Sequence, residues 1–121
     1  MTIKLFLLLA LLANPLPNEL QGIWSGNVAA PNGTYQFYME VTAASGGSLT
    51  AYVEIYNATC DLIEESIPVQ LRTRTRFAVV APDLAFGATY QADGSIVSDN
   101  LHFNSESCGV VKHAAFTAET K

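Results

Sequence analysis

Thr34-Tyr35-Gln36-Phe37-Tyr38-Met39-Glu40-Val41-Thr42-Ala43-Ala44, the turn Gly46-Gly47-Ser48, and then Leu49-Thr50-Ala51-Tyr52-Val53-Glu54-Ile55-Tyr56 form the stretch on which the fold is decided. Tyr35, Phe37, Met39, Val41 and Ala43 alternate with Gln36, Tyr38, Glu40 and Thr42. After the turn, Leu49, Ala51, Val53 and Ile55 alternate with Thr50, Tyr52, Glu54 and Tyr56. A period of two is the signature of a strand with one buried face, and a glycine-rich break between two such runs reads as a hairpin.

The same rhythm continues in both directions. Upstream, Gly22 to Ala30 reads as a first strand, closed by the hairpin signal Asn32-Gly33. Downstream, Ile67 to Leu71, Arg76 to Ala81, Leu84 to Ala92, Ser95 to Asn104 and Val110 to Ala118 read as strands. Pro82-Asp83, Asp93-Gly94 and a turn ending at Cys108-Gly109 separate the later ones. Asn57 to Glu65 reads as either a loop or a short edge strand. The expectation is an all-β domain, a small antiparallel up-and-down barrel of seven or eight strands, with a β-sandwich as the alternative. Short turns favour sequential pairing, and a meander that closes on itself removes both exposed edges, which favours the barrel.

The chain has 121 residues, enough for a single domain. Its first residues read as a secretory leader. Lys4 precedes the unbroken apolar run Leu5 to Ala13, about nine residues long, which suits a signal peptide and is too short to span a bilayer. The expected organisation is a signal peptide at 1–13, a linker at 14–20 with Pro15 and Pro17, and the β domain at 21–121, secreted or periplasmic. A buried N-terminal helix of the mature fold is the competing reading. Charged residues make up 14% of the chain and the formal net charge is −5, so attraction to nucleic acid or to an anionic membrane is disfavoured. The even count of two cysteines, Cys60 and Cys108, suggests a disulfide in an exported protein, with two buried thiols as the alternative.

Leu20-Gln21-Gly22-Ile23-Trp24-Ser25-Gly26 has the form L-x-G-x-W-x-G. It resembles the first strand of calycin-type barrels, and the G-x-W start of lipocalins and avidins. Gly46-Gly47-Ser48-Leu49-Thr50-Ala51, Ile67-Pro68-Val69 and Asp93-Gly94-Ser95-Ile96 extend the likeness. Together, over roughly residues 20 to 118, they resemble a small calycin-like β-barrel module of bacterial exported proteins, often found ahead of α/β-hydrolase or peptidase domains. The resemblance implies a structural role for Gly22 and makes Trp24 a plug at one barrel end. Ser98 stands where the module has a second glycine, and Lys112 is the nearest substitute for the arginine that covers the tryptophan in lipocalins.

No catalytic set emerges from the residues. His102 and His113 are the only histidines, both on expected strands; they read as surface or rim imidazoles, with a cross-strand pair across the turn near Cys108 as the alternative, and no G-x-S-x-G elbow exists. Glu40 and Glu54 lie opposite Met39, Val41, Val53 and Ile55, so both are expected to face solvent; an acid-dependent hydrolase built on them or on the histidines is the weakest alternative. Two cysteines and two scattered histidines lack zinc-site spacing, and no cofactor or metal is expected. Arg72, Arg74 and Arg76 share a face if extended and scatter if the chain turns there. Asn32-Gly33-Thr34 and Asn57-Ala58-Thr59 fit the N-glycosylation pattern. Tyr38, Tyr52 and Tyr56 fall on the polar faces of neighbouring strands and are the candidate binding residues, since exposed rings in a row stack on sugars or peptides; the competing reading is ordinary cross-strand stabilisation. The functional expectation is a non-catalytic accessory or interaction module that contacts another exported protein, with a lipocalin-like carrier of a small apolar ligand as the alternative.

Overall fold

The computed structural model describes residues 16–120; the expected signal peptide at 1–13 lies outside them. A helix, α1 (Leu16–Leu20), leads into eight strands: β1 (Gly22–Ala30), β2 (Gly33–Ala43), β3 (Leu49–Tyr56), β4 (Asp61–Leu71), β5 (Arg76–Ala81), β6 (Leu84–Tyr90), β7 (Ile96–Ser105) and β8 (Gly109–Thr120). Each strand pairs antiparallel with the next, and β8 returns to β1 from Trp24↔Thr120 to Ala29↔Ala115. The result is a closed up-and-down barrel, so the sandwich alternative falls and the strand count is eight. Closure leaves no sheet edge to be capped or charged.

The alternation of β2 and β3 decides which faces are buried. Phe37↔Ile55, Met39↔Val53 and Val41↔Ala51 are register pairs, and all six side chains are buried. Rings from distant strands then occupy the barrel axis. Phe37 stacks on Phe116 with centroids 4.1 Å apart, Phe86 meets both edge-on, and Phe77 meets Phe86. Tyr35 against Phe103 continues this packing toward one end, and Trp24 against Tyr90 toward the other.

The helix end is closed by residues expected to be a linker. Part of that segment, Leu16–Leu20, is helical instead. Leu20 is fully buried and its carbonyl accepts the Trp24 Nε1–H at 2.9 Å, while the Tyr90 hydroxyl donates to Glu19. Burial of an apolar residue with a satisfied indole partner outweighs the weak helix propensity of a short segment that contains Pro17. Trp24 is itself completely buried at this end, and Gly22, which opens β1, has a φ of 136° open to glycine alone.

The opposite end carries the turns β1–β2, β3–β4, β5–β6 and β7–β8. Cys60 and Cys108 form a disulfide across it, with Cα atoms 5.1 Å apart, tying the β3–β4 turn to the β7–β8 turn. Asn32 joins the same end, donating to the Cys108 carbonyl and accepting from the Tyr35 hydroxyl. The loop of the first hairpin is Pro31-Asn32, one residue earlier than the Asn32-Gly33 signal suggests, because Gly33 already pairs with Ala30.

Three bulges interrupt the ladder. Asp61 to Leu71 is one strand, so the loop alternative for Asn57 to Glu65 falls from Asp61 onward and that stretch is continuous with the strand expected at Ile67 to Leu71. Ala51↔Ile67 and Val53↔Glu64 are paired, so Tyr52 alone opposes Glu65 and Ser66, and Ser66 has a φ of 55°. In β7, Asp99 and Asn100 together oppose Ala115; in β8, Lys112 and His113 together oppose His102. Each bulge inserts one residue and so reverses the inward parity along the rest of its strand.

Candidate functional site

The outer face of β2–β3–β4 gathers most of the residues singled out in the sequence. Tyr38↔Glu54 and Glu40↔Tyr52 are register pairs, so two tyrosines and two glutamates alternate diagonally on one patch of sheet. The Tyr38 and Tyr52 rings meet edge to face with centroids 6.1 Å apart. Tyr56 lies further along the same face of β3, exposed and paired with Asp61. Tyr38 and Tyr52 are therefore brought together, and Tyr56 stands apart from them. Glu65, opposite Tyr52 at the bulge, lines with Glu40, Thr42 and Thr50 a shallow depression of about 270 Å³. Glu64, by contrast, follows the inward parity of Val53, and its carboxylate accepts the Asp83 N–H of the β5–β6 turn.

This face is negative without compensation. Residues 33–71 contain no lysine or arginine and five acidic residues, of which Glu40, Glu54, Asp61 and Glu65 lie on this face. The consequences appear in the titrating groups. The Tyr38 hydroxyl donates to Glu40 Oε2, and that bond, reinforced by burial and by the charges of Glu40, Tyr52 and Glu54, pushes the phenol up to about 12. Burial raises Tyr52, with the charges of Glu54, Glu65 and Asp61 adding to it. Burial also raises Glu54, as do its hydrogen bond with Asp61 and the charge of that carboxyl, against a lowering bond from Tyr52. Negative charge is crowded here, and a cation arriving on the face relieves the crowding.

The phenol gives a direct test. Tyr38 holds its proton more tightly in the folded chain than in the unfolded chain, where a tyrosine ionises near 10.0. Between those two values the unfolded state binds fewer protons, so stability falls as pH rises through that window. Following tyrosinate absorbance against pH, a late phenol near 12 is expected to vanish in Tyr38→Phe and to move down toward 10.0 in Glu40→Gln. A Glu40→Gln chain that keeps the late phenol contradicts the assigned hydrogen bond.

A second concavity was not legible in the sequence. A groove of about 740 Å³ runs over β6, β7, β8 and β1, walled by Ser25, Asn27, Thr89, Asn100, Thr117 and Glu119. Gly26 and Gly87 contribute to its floor. Asn100, in the β7 bulge, fills the gap in the ladder by accepting the Gly87 N–H and the Ser98 hydroxyl. The only signal in the chain was two strand-interior glycines; their placement on one side of the barrel depends on register.

The other candidates separate cleanly. His102 and His113 face each other across β7 and β8 with ring centroids 5.3 Å apart. Arg72 to Arg76 bends in the β4–β5 turn, where Thr73 Oγ1 accepts the Thr75 and Arg76 N–H groups, so no extended row of guanidinium groups forms. The Asn57 side chain is engaged in its turn, accepting from the Thr59 N–H and hydroxyl and the Cys60 N–H while donating to the Thr34 carbonyl. Among the described residues no three histidine, cysteine, aspartate or glutamate side chains gather as a metal centre, and no helix is long and apolar enough to cross a membrane. The disulfide fits an oxidising compartment. Set against models of known families, curated proteins and solved structures, the chain matches none.

Proposed function

We propose that this domain is an exported, non-catalytic interaction module, working after removal of a leader at 1–13, and that it holds a basic segment of a partner protein on the outer face of β2–β3–β4. The observation that carries this reading is the patch of Tyr38, Tyr52, Glu40 and Glu54 on a stretch of chain without a single basic residue. Arginine and lysine suit such a surface: their charge answers the carboxylates and their heads rest on phenol rings. Glu40 and Glu54 act here as charges rather than as an acid–base pair, standing on an open sheet surface. The carrier reading draws less support, because the Phe37, Phe77, Phe86 and Phe116 cluster takes up the axis where an apolar ligand would lie.

The test is fluorescence anisotropy with a short labelled arginine-rich peptide, a glutamate-rich peptide serving as control. Binding of the basic peptide alone is expected, weakening as salt rises. Each half-buried ring adds about 0.5–1 kcal/mol of cation–π attraction, so Tyr38→Ser with Tyr52→Ser should cost about tenfold in affinity. Binding that ignores both tyrosines would reduce the effect to diffuse negative charge and overturn the assigned face. No binding at physiological salt would overturn the reading itself.

A further inference from the structure

We infer that His102 and His113 form a two-histidine chelating site for a divalent transition metal on the outside of the β7–β8 hairpin, on the opposite part of the wall from the tyrosine face. The observation is a cross-strand imidazole pair created by a bulge. Leu101↔Ala114 and Phe103↔Val111 are paired, so His102 faces two residues, Lys112 and His113. His113 takes a φ of 59°, a left-handed conformation that costs a residue with a Cβ of order 1 kcal/mol. Both histidines are exposed, and their rings lie 5.3 Å apart with planes at 71°.

That spacing suits a shared metal. An imidazole nitrogen binds zinc at about 2.0–2.1 Å, which places the ion about 3.2 Å from the ring centre. Two ring centres 5.3 Å apart at that radius subtend about 110° at the ion, close to the tetrahedral angle. Crowding does not block the approach. The residue paired with His102 on β6 is Ala85, whose side chain is too small to cover an imidazole. Asp83 and Lys112 line the same depression of about 230 Å³ as His102, and Lys112 stands opposite His102 in the bulge. Asp83 adds a favourable carboxylate nearby, whereas Lys112 opposes a cation. Water completes the coordination shell, as two protein ligands leave positions open. Imidazole ligands of this kind favour copper(II) over nickel(II) and zinc(II).

Calorimetric titration of the untagged mature chain with copper(II), nickel(II) and zinc(II) salts tests the site, with the copper ligand-field spectrum as a second readout. One metal per chain is expected, tightest for copper. His102→Ala and His113→Asn should each lose at least about tenfold in affinity, since either one breaks the chelate. Asparagine tolerates the left-handed backbone at position 113, so this variant keeps the bulge, and circular dichroism of both variants checks the fold. Absent binding, or binding that survives both substitutions, overturns the site. Loss in His113→Asn alone would leave a single-histidine contact and overturns the chelate equally. The peptide-binding face is untouched by these variants, so its success or failure is read separately.

Discussion

Gly26→Ala is expected to cost at least about 3 kcal/mol and to open the barrel at its closing seam. An alanine Cβ at this position falls 1.9 Å from the Thr117 carbonyl oxygen and 2.9 Å from the Ala118 Cα. Both are backbone atoms of β8, so no rotamer change relieves the clash; the strand itself has to retreat. Gly26 pairs with Ala118 on one side and Phe37 on the other, in the middle of the β1–β8 ladder that converts the meander into a closed wall. A retreat of β8 carries Phe116 away from Phe37, the tightest ring contact of the core. Gly87→Ala is the matched control. It is also a strand glycine, but its Cβ finds the Asn100 side-chain amide at 3.4 Å, an ordinary contact, and its cost should stay within about 1 kcal/mol. Urea unfolding of the two variants reads the difference as a shift in midpoint at constant slope. Equal midpoints would mean that the seam tolerates a side chain and that closure does not depend on this close approach.

Gly26 also marks the limit of what the sequence discloses. Its place in the L-x-G-x-W-x-G run identified a first strand, and the alternation in β2 and β3 assigned the faces of Phe37, Tyr38, Val53 and Glu54 correctly, because a buried face imposes a period of two. The bulges were opaque for the same reason. Around Ser66 the inward residues change from Leu62 and Glu64 to Ile67, and a parity reversal within a strand looks like a loop between two shorter ones. The groove depends on bulges and register together, so Asn100 and Thr117 carried no individual signal. That the turn near Cys108 could bring His102 and His113 onto neighbouring strands was readable, as an alternative to separate rim imidazoles. Their close facing was not, since it depends on the extra residue that the β8 bulge places opposite His102. The helical stopper was hidden by its prolines, which suggest a linker locally; the gain comes from a distant partner, the Trp24 indole, that local propensity does not contain.

Removing the disulfide should cost about 4 kcal/mol, lowering the melting temperature by roughly 15–30 °C for a domain of this size. The bridge spans 48 residues of sequence, and cross-linking the unfolded chain over a loop of that length removes entropy that the reduced chain regains. The native side of the balance changes little on reduction. Cys60 and Cys108 stay in place through backbone bonds that do not involve sulfur: the Cys60 N–H to Asn57, the Cys108 N–H to Ser105, and the Cys108 carbonyl from Asn32. Both side chains are buried, so Cys60→Ala with Cys108→Ala avoids placing a hydroxyl in an apolar site and isolates the cross-link. The barrel is expected to fold without it, since the ring cluster and the β1–β8 seam lie away from the disulfide end. Thermal melts of the oxidised chain, the reduced chain and the double variant check this: the last two should coincide and lie well below the first. A double variant as stable as the oxidised chain would show that the β3–β4 and β7–β8 turns are already held together by Asn32, Asn57 and their partners, and that the disulfide guards the barrel mouth without stabilising it.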